Sequence, residues 1–484
     1  MPSSKWLSAC VVLGAFALAA CGTAKDPAAN PVYVNVSHPH HHWVLENGLR
    51  VIVYPDHGAS GVVVNVRYGV GSADEPSGRE GLAHLTEHLM FKGDPGAGIA
   101  DMGVELDRAA SSTFNATTSF DSTTYYSAVP RSSLATVLWL EAARMANPAA
   151  RITQEGLTSE RRVVLAEYHT RVGNEGAGSV WGKVYESLFP EGHPYHVTPI
   201  GSPESLGKIT VDDAKQFASS YYRPDNASIV LVGDIDVKAA STAVAKYFAG
   251  IPRPAIPVPR KLVNDTSATP QLLVSFVGKK VLRMRSASPT PRLVLAWRLP
   301  DPQSDLGSTS DGLTVRERGA VEAIRDLALG FAARELHARL YFKLREKAPG
   351  AVVDVDLHRG RHGATLMLDV SLADEASRER VLALVEEEID GLDSRLPSEG
   401  DRTSNAIVDH LRALSSPIAL SQSMQDSLAH FGIADAEQER LQLYGKVKNK
   451  DIVDAVRAHL KRAPHVEVHV AYDPDAPLAG EVIR

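Results

Sequence analysis

The chain has 484 residues, of which 44% are hydrophobic and 23% charged, an ordinary globular composition that is long enough for two or more domains. Its formal net charge is -7, from 51 basic and 58 acidic residues, and the absence of a long basic run argues against nucleic acid as a partner. The only two cysteines, Cys10 and Cys21, leave the rest of the chain without a disulfide or a thiolate metal site.

The N-terminal stretch predicts export. Lys5 precedes the short apolar run ACVVLGAFALAA, which is too short for a comfortable transmembrane helix and typical of a signal peptide over residues 1–20. The end of this run, LAAC, resembles the bacterial lipobox, so Cys21 is the expected lipidation site and residues 21–42 are the expected tether. Gly22 after the cysteine resembles the sorting class for the outer membrane. We therefore expect a periplasm-facing lipoprotein of the bacterial envelope that contacts the membrane through its lipid anchor alone. A plain signal peptide with a chance cysteine is the alternative.

The tether ends in the histidine-rich run HPHHHW at residues 38–43. A cluster of this kind can bind zinc or hand it over, but most such clusters are solvated linkers.

Residues 43–250 show the pattern of a mixed α and β domain. An Asn-Gly turn at residues 47–48 indicates a hairpin. Residues 61–70 alternate in part, with Asn65 and Arg67 on one face, which predicts a half-buried strand. Helices are expected around GLAHLTEHL, SSLATVLWLEAARMAN and LTSERRVVLAEYHTRV, the last with Ser159 as a candidate N-cap, and extended segments over residues 112–129 and 226–236.

A proline-rich stretch then separates the two halves of the chain. IPRPAIPVPRK begins the predicted linker at residues 251–268, because proline disfavours both helix and central strand. Residues 269–484 repeat a similar order of elements: strands at QLLVSFVG, RLVLAWRLP and GATLMLDVSLA, and helices at VEAIRDLALGFAARELHARLYFKLREK and SRERVLALVEEEIDGL. This order predicts a duplicated α+β domain, although the second half contains no second HLTEH.

The run HLTEH at residues 84–88 carries the chemistry. On a helix, His84, Glu87 and His88 share one face. Two neutral imidazoles at this spacing can chelate one Zn²⁺, and the glutamate can act as general base on a water molecule at the metal. Two histidines and an acid on an ordinary helix surface are the competing explanation, and the pattern alone does not decide between them.

A catalytic zinc site needs a third protein ligand. Glu160 and Glu167 lie seven residues apart, which is two helical turns, so both point to one side of their helix. Arg161 and Arg162 stand beside them, so a solvated charged face is the alternative.

GLAHLTEHLMFKGD and SERRVVLAEY together resemble the M16 peptidases, the inverzincin family of pitrilysin, insulin-degrading enzyme and the mitochondrial processing peptidase. The family pattern is H-x-x-E-H followed by E-x6-E on one helix, and here 78 residues (167 − 88 − 1) separate His88 from Glu167. The resemblance implies one Zn²⁺ per chain held by His84, His88 and Glu167, with Glu87 as catalytic base and Glu160 as a supporting acid. It also implies an α+β fold of two homologous domains, each a mostly antiparallel sheet with helices on one face.

The resemblance extends to substrate and partner. NATTSFDSTTYY resembles the family's edge strand, where Asn115 and Ala116 would pair with the backbone of a peptide substrate. The second domain of typical members carries an arginine and a tyrosine that reach the substrate. Arg345 is kept here, but the tyrosine falls on Val352 or Val353. This loss implies a second M16-like subunit that carries the Arg/Tyr pair, or otherwise a homodimer that tolerates the loss. A non-catalytic peptide-binding subunit is the alternative function.

Overall fold

A computed structural model describes residues 40–94, 96, 98–174, 177–260, 274, 276–299, 315–413, 415–431, 443–461, 463–477 and 481–483. The predicted signal peptide, the lipidation site Cys21, most of the tether and residues 261–268 of the predicted linker lie outside these ranges. Within the described part of the chain, the strands form two six-stranded sheets.

The first sheet has the order β1-β2-β6-β3-β5-β4. Its neighbouring strands pair antiparallel, except that β2 and β6 are parallel. The predicted Asn-Gly hairpin is present as β1 and β2, with Gly48 at a φ of +93°, in the left-handed region that favours glycine. The strands are β1 His41–Val44, β2 Arg50–Pro55, β3 Val62–Tyr68, β4 Thr113–Thr118, β5 Thr123–Val129 and β6 Ala227–Gly233.

Eight of the described helices belong to the first half of the chain. The predicted helix over residues 157–172 is observed as α4 and ends at Tyr168, after which the chain continues as a π-helix over His169–Asn174. The helices are α1 Leu82–Leu89, α2 Met102–Arg108, α3 Leu134–Ala146, α4 Gln154–Tyr168, α5 Ala177–Leu188, α6 Pro203–Lys208, α7 Val211–Tyr221 and α8 Val237–Phe248.

The second sheet repeats the arrangement, with the order β12-β7-β11-β8-β10-β9 and one parallel pair, β7 with β11. Five central and edge strands occupy equivalent positions in the two sheets, which agrees with the predicted duplication. The strand predicted at QLLVSFVG, residues 271–278, is absent at residues 274 and 276–278, because the strand begins at Lys279. Residues 271–273 and 275 lie outside the described ranges. The strands are β7 Lys279–Ser286, β8 Arg292–Leu299, β9 Val352–Gly360, β10 Gly363–Ser371, β11 His465–Tyr472 and β12 Glu481–Ile483.

The described helices of the second half fall between strands that have equivalents in the first half. The 33-residue helix α9 lies between β8 and β9, as α1 and α2 lie between β3 and β4. The helices are α9 Val315–Lys347, α10 Arg378–Gly391, α11 Glu399–Ala413, α12 Pro417–Phe431 and α13 Asn449–His459. The predicted α+β class with two mostly antiparallel sheets is confirmed.

Both faces of each sheet are buried. One face packs against elements of the same half of the chain, and the other packs against a helix from the other half. Val62, Val64 and Val66 of β3 face the core of the first half, whereas Val63 packs against Met424 and Leu428 of α12. In the second half, apolar side chains of β8 and β11 pack in the same way against Val180 and Val184 of α5. The exchange of α5 and α12 joins the two halves through apolar contacts.

Strand β3 was predicted to be half-buried, and this was wrong. Asn65 is fully buried because it meets α12, where its side-chain amide donates to Ser421 Oγ at 3.0 Å. Gln425 Nε2 donates to the backbone carbonyls of Asn65 at 3.0 Å and Ser228 at 3.2 Å. Buried amides of this kind need their partners, so they fix the register of α12 on the sheet.

A second junction joins the β4–β5 turn to the β9–β10 turn. Arg361 donates from Nη1 and Nη2 to the two carboxylate oxygens of the buried Asp74, at 3.2 and 3.1 Å. Its backbone N–H donates to Asp121 Oδ2 at 2.8 Å.

Among the described residues, none of the helices has both the length and the apolar character needed to cross a bilayer.

We expect Gln425→Ala to lower the free energy of unfolding by about 2 kcal/mol, because it removes the hydrogen bonds that Gln425 makes with the buried Asn65 Oδ1 and with the buried Ser228 hydroxyl. The neighbouring change Asp426→Ala removes an ion pair between Arg67 and an aspartate whose side chain is 65% exposed, and should cost less than about 1 kcal/mol. Urea unfolding of the two variants measures both values. Equal losses would contradict the role of the buried amide network.

Candidate metal centre

The first helix of the site, α1, starts under tight constraint. Gly81 precedes it at a φ of +93° and offers no side-chain cap. The cap comes from Glu75, whose carboxylate accepts hydrogen bonds from the backbone N–H groups of Gly81 at 3.1 Å and Ala83 at 2.7 Å. Glu75 is buried, and its negative charge also complements the positive end of the helix dipole. The start and direction of α1 are therefore fixed before its functional residues begin.

The second helix of the site, α4, starts earlier than the sequence suggested. Thr153 is its N-cap, and Thr153 Oγ1 accepts a hydrogen bond from the backbone N–H of Gly156 at 3.0 Å. The prediction that Ser159 caps this helix was wrong, because Ser159 lies inside it. The longer helix places Glu160 in its middle and Glu167 in its last turn, both on the side that faces α1.

The structure brings His84, His88 and Glu167 together. Glu167 Oε2 lies 3.5 Å from Nε2 of each histidine, and the three possible donor atoms lie within 4.8 Å of one another. Two atoms that each lie about 2.1 Å from a tetrahedral zinc ion are about 3.4 Å apart. The two distances from Glu167 Oε2 to the histidine nitrogens match this value and exceed the length of a charge-assisted hydrogen bond, about 2.7–2.9 Å. The donor set therefore fits Zn²⁺, and it leaves a fourth position for water or substrate.

Glu160 lies behind His88. Its Oε2 is 3.4 Å from His88 Nδ1, the ring nitrogen that faces away from Glu167, and its Oε1 is 3.2 Å from Lys92 Nζ. A carboxylate in this place fixes the orientation of the imidazole and makes it a better metal ligand.

The two histidines have opposite pKa shifts. Burial lowers the pKa of His84 to about 4, and the nearby Glu167 only partly offsets this effect. Burial also lowers the pKa of His88, but the carboxylates of Glu160 and Glu167 outweigh it and raise the value to about 9. Contact with His88 holds the pKa of Glu167 below its usual range. Without metal, His88 is therefore the protonated member of the set at neutral pH.

Glu87 points into the same space and is held by Thr118. Thr118 Oγ1, at the end of β4, donates to Glu87 Oε2 at 2.6 Å. Burial raises the pKa of Glu87 above its ordinary value. A carboxylate with a raised pKa and a fixed orientation is suited to accept and return a proton.

A cavity of about 400 Å³ opens beside these residues. The edge strand β4 forms one wall, and both predicted substrate-binding residues, Asn115 and Ala116, lie on it. Asn115 Oδ1 accepts a hydrogen bond from the backbone N–H of Ala116 at 2.8 Å. The lining residues are His84, Glu87, His88, Phe91, Asn115, Ala116, Thr117, Thr118, Glu167 and Arg171.

The structure does not bring Arg345 to this cavity. Arg345 is exposed in the last turn of α9 and is not among the described residues that line the cavity. Val352, the first residue of β9, is 67% exposed, whereas Val353 is buried. Neither valine can donate a hydrogen bond from its side chain.

The histidines at residues 41–42 form part of β1, so the histidine-rich run ends in the edge strand of the first sheet.

Sequence reasoning missed Glu75, Thr118 and Arg171. Glu75 caps the helix that carries the two histidines. Thr118 contacts the candidate base from a strand 31 residues away, and Arg171 contacts the ligand Glu167 from one helical turn further along the chain. The i,i+4 spacing of Glu167 and Arg171 was available as a signal, since such pairs are neighbours on a helix.

Two family models match the chain. The model described as "Insulinase (Peptidase family M16)" matches residues 50–184, and the model described as "Peptidase M16 inactive domain" matches residues 208–401. The chain belongs to peptidase family M16. The predicted resemblance is thereby confirmed.

Known M16 proteins agree with this assignment. The chain is 34% identical over 226 residues to the zinc protease PqqE of Helicobacter pylori. This alignment covers 46% of this chain and 50% of the relative. The chain spans about half the length of the curated relatives it matches. A protease structure from Helicobacter pylori superposes with a TM-score of 0.74 at 22% identity, covering 89% of this chain and 99% of that one. The periplasmic protease PqqL from Escherichia coli gives 0.69 at 18% identity, covering 90% and 48%. At these identities the superpositions establish the fold.

We expect zinc binding at pH 7 to release about one proton, because the ligands must be unprotonated and His88 alone of the three carries a proton to lose. The apparent affinity should rise about tenfold per pH unit up to about pH 9, the pKa of His88, and then level off. Calorimetry in buffers of different ionisation enthalpy measures the released proton.

Glu160→Gln is the matched control for this measurement. It removes one of the carboxylates that raise the pKa of His88, so fewer protons should be released at pH 7. A heat of binding that does not depend on the buffer would contradict the assigned protonation states.

Proposed function

We propose that this protein is a zinc-dependent endopeptidase that hydrolyses short or unfolded peptides, with Glu87 as general base. One observation carries the proposal: a three-ligand metal set and a separately anchored glutamate converge on one cavity beside an exposed strand edge. A protein that only binds peptides has no need for this convergence. Relatives named zinc proteases support the same interpretation.

The chain's own residues would divide the chemistry between them. When bound, zinc supplies Lewis acidity, which lowers the pKa of a coordinated water and polarises a carbonyl. His84, His88 and Glu167 would hold the ion and leave one side open to the cavity. Glu87 would take the proton of the attacking water and deliver it to the leaving amine. Thr118 keeps the Glu87 carboxylate aimed at the cavity during both transfers.

The substrate would bind as an extra strand on β4. An edge strand offers backbone donors and acceptors to an extended peptide, and main-chain bonds of this type give affinity with little sequence preference. In this structure the backbone N–H of Ala116 donates a hydrogen bond to the side-chain oxygen of Asn115. An incoming peptide carbonyl would replace it at that donor. A cavity of about 400 Å³ suits an extended segment and excludes a folded domain.

We further propose that the active site is completed by a second M16-like subunit that carries an Arg/Tyr pair. This chain has valine at both positions where the tyrosine is expected, and Arg345 lies outside the described cavity. A donor to the developing oxyanion would therefore have to come from elsewhere. A homodimer is the alternative assembly.

The proposed location is the bacterial envelope, with the protein facing the periplasm and attached through lipidated Cys21. The signal-like N-terminal sequence supports this location. PqqL, which has the same fold, is described as a periplasmic protease.

Glu87→Gln should abolish cleavage without removing the metal. The amide cannot accept a proton, so kcat/KM should fall by at least about 10²-fold while zinc content stays at about one per chain. Cleavage of a quenched peptide mixture and metal analysis measure the two quantities.

Glu155→Gln is the matched control, since Glu155 is exposed in the first turn of α4 and the change should leave cleavage intact. If the wild type holds zinc but cuts nothing that Glu87→Gln does not, the peptidase proposal fails, and a non-catalytic peptide-binding subunit remains.

We expect an M16-like protein encoded next to this one to raise the cleavage rate of residues 21–484 at least tenfold. The reason is that this partner would supply the missing hydrogen-bond donor, and a tenfold increase corresponds to about 1.4 kcal/mol of transition-state stabilisation. Size-exclusion chromatography should show a 1:1 complex. Full activity of the isolated chain would refute the heterodimer and favour the homodimer.

A further inference from the structure

Arg171 touches the metal centre, and the proposed reaction gives it no role. It lies one helical turn after Glu167, and its Nη2 forms an ion pair with Glu167 Oε1 at 2.7 Å. Its side chain is 65% exposed and forms part of the cavity wall. An exposed ion pair at this spacing contributes little to helix stability, so stability alone does not account for it.

The contact divides the two oxygens of Glu167 between different partners. Oε2 faces His84 and His88, each at 3.5 Å, whereas Oε1 faces Arg171. When a carboxylate binds zinc through one oxygen, its second oxygen is free to contact another group. If no group holds that second oxygen, it can turn toward the metal and bind as well. The guanidinium of Arg171 is placed to hold it.

The local backbone changes at the same point. The α-helical hydrogen-bond pattern ends at Tyr168, immediately after Glu167, and residues His169–Asn174 continue as a π-helix. π-helical turns are rare and often occur at functional sites. Arg171 extends from this wider turn, from which its side chain reaches back to Glu167 and also borders the cavity.

We propose that Arg171 is a positioning residue that holds Glu167 as a one-oxygen ligand of zinc. The inference rests on the zinc site of the proposed function, but it does not require that the protein cleave peptides. It predicts that loss of Arg171 weakens metal binding. Simple charge repulsion predicts the opposite, because removing a cation beside the site should strengthen the binding of Zn²⁺.

The test compares Arg171→Met with Arg162→Met in residues 21–484. Arg162 is exposed on α4 and donates from Nε to the carbonyl of Thr158 at 3.3 Å, so its loss changes the net charge equally without touching Glu167. Zinc affinity is measured by competition with a chromophoric chelator at fixed pH and ionic strength. We expect Kd to rise about tenfold for Arg171→Met and to stay unchanged for Arg162→Met. Arg171→Lys should recover part of the affinity, because an ammonium can donate to the same oxygen.

Cobalt substitution gives a second readout that folding stability would not change. Four-coordinate Co²⁺ absorbs visible light more strongly than five-coordinate Co²⁺. If Glu167 turns to bind through both oxygens, the cobalt bands of Arg171→Met should weaken relative to those of Arg162→Met. An unchanged or tighter zinc Kd together with an unchanged cobalt spectrum would overturn the proposal.

Peptide cleavage is measured separately on the same samples. Wild type that binds zinc but cuts nothing would refute the proposed function and leave the role of Arg171 standing. Wild type that binds no zinc would overturn both.

Discussion

The candidate metal centre depends on one carboxylate oxygen, Glu167 Oε2, which lies 3.5 Å from two imidazoles on another helix. The ligands come from α1 and α4, which are separated by two strands and two further helices in the chain. A shift of one residue along either helix would rotate a ligand by about 100° and remove it from the set. The other contacts around the site are best understood as constraints on this register.

Those constraints act at several levels. Glu75 fixes where α1 starts, and Thr153 fixes where α4 starts. The buried apolar side chains of both helices pack in one core with the first sheet. Single side-chain contacts then act on the reacting groups, with Glu160 on His88 and Thr118 on Glu87. The helix ends set the coarse geometry, and the hydrogen bonds set the orientation of each ring and carboxylate.

The exchange of α5 and α12 between the halves explains why the duplicated halves form one unit. Each sheet has a second apolar face that the helices of its own half leave uncovered. A helix from the other half packs on this face and removes it from water. The first half therefore depends on the second half for the burial of its sheet, even though the described candidate metal ligands all lie in the first half. Drift of the second half away from catalysis would leave this structural role intact.

Features that depend on local periodicity were predictable from the sequence. His84, Glu87 and His88 share a face because of helical spacing, and Glu160 and Glu167 do so for the same reason. The α+β class could be predicted from alternating strands and amphipathic helices. Contacts across long separations were not predictable: the burial of Asn65 depends on α12, and the anchor of Glu87 depends on a threonine 31 residues later. The π-helix after Tyr168 and the starts of α4 and β7 were also missed, because they depend on hydrogen bonds rather than on hydrophobic pattern.

Val352 and Val353 stand where the family resemblance leads us to expect a tyrosine, and the two halves differ in the polar groups they carry. The first half carries the three candidate metal ligands and the candidate base. Side chains outside this set contact His88, Glu167 and Glu87. The second half has kept the fold and the exposed edge strand β9, but not the tyrosine hydroxyl. Under the proposed function, the donor to the developing oxyanion would have to come from outside this pair of valines. The proposed peptidase activity would therefore depend on which chains form the assembly.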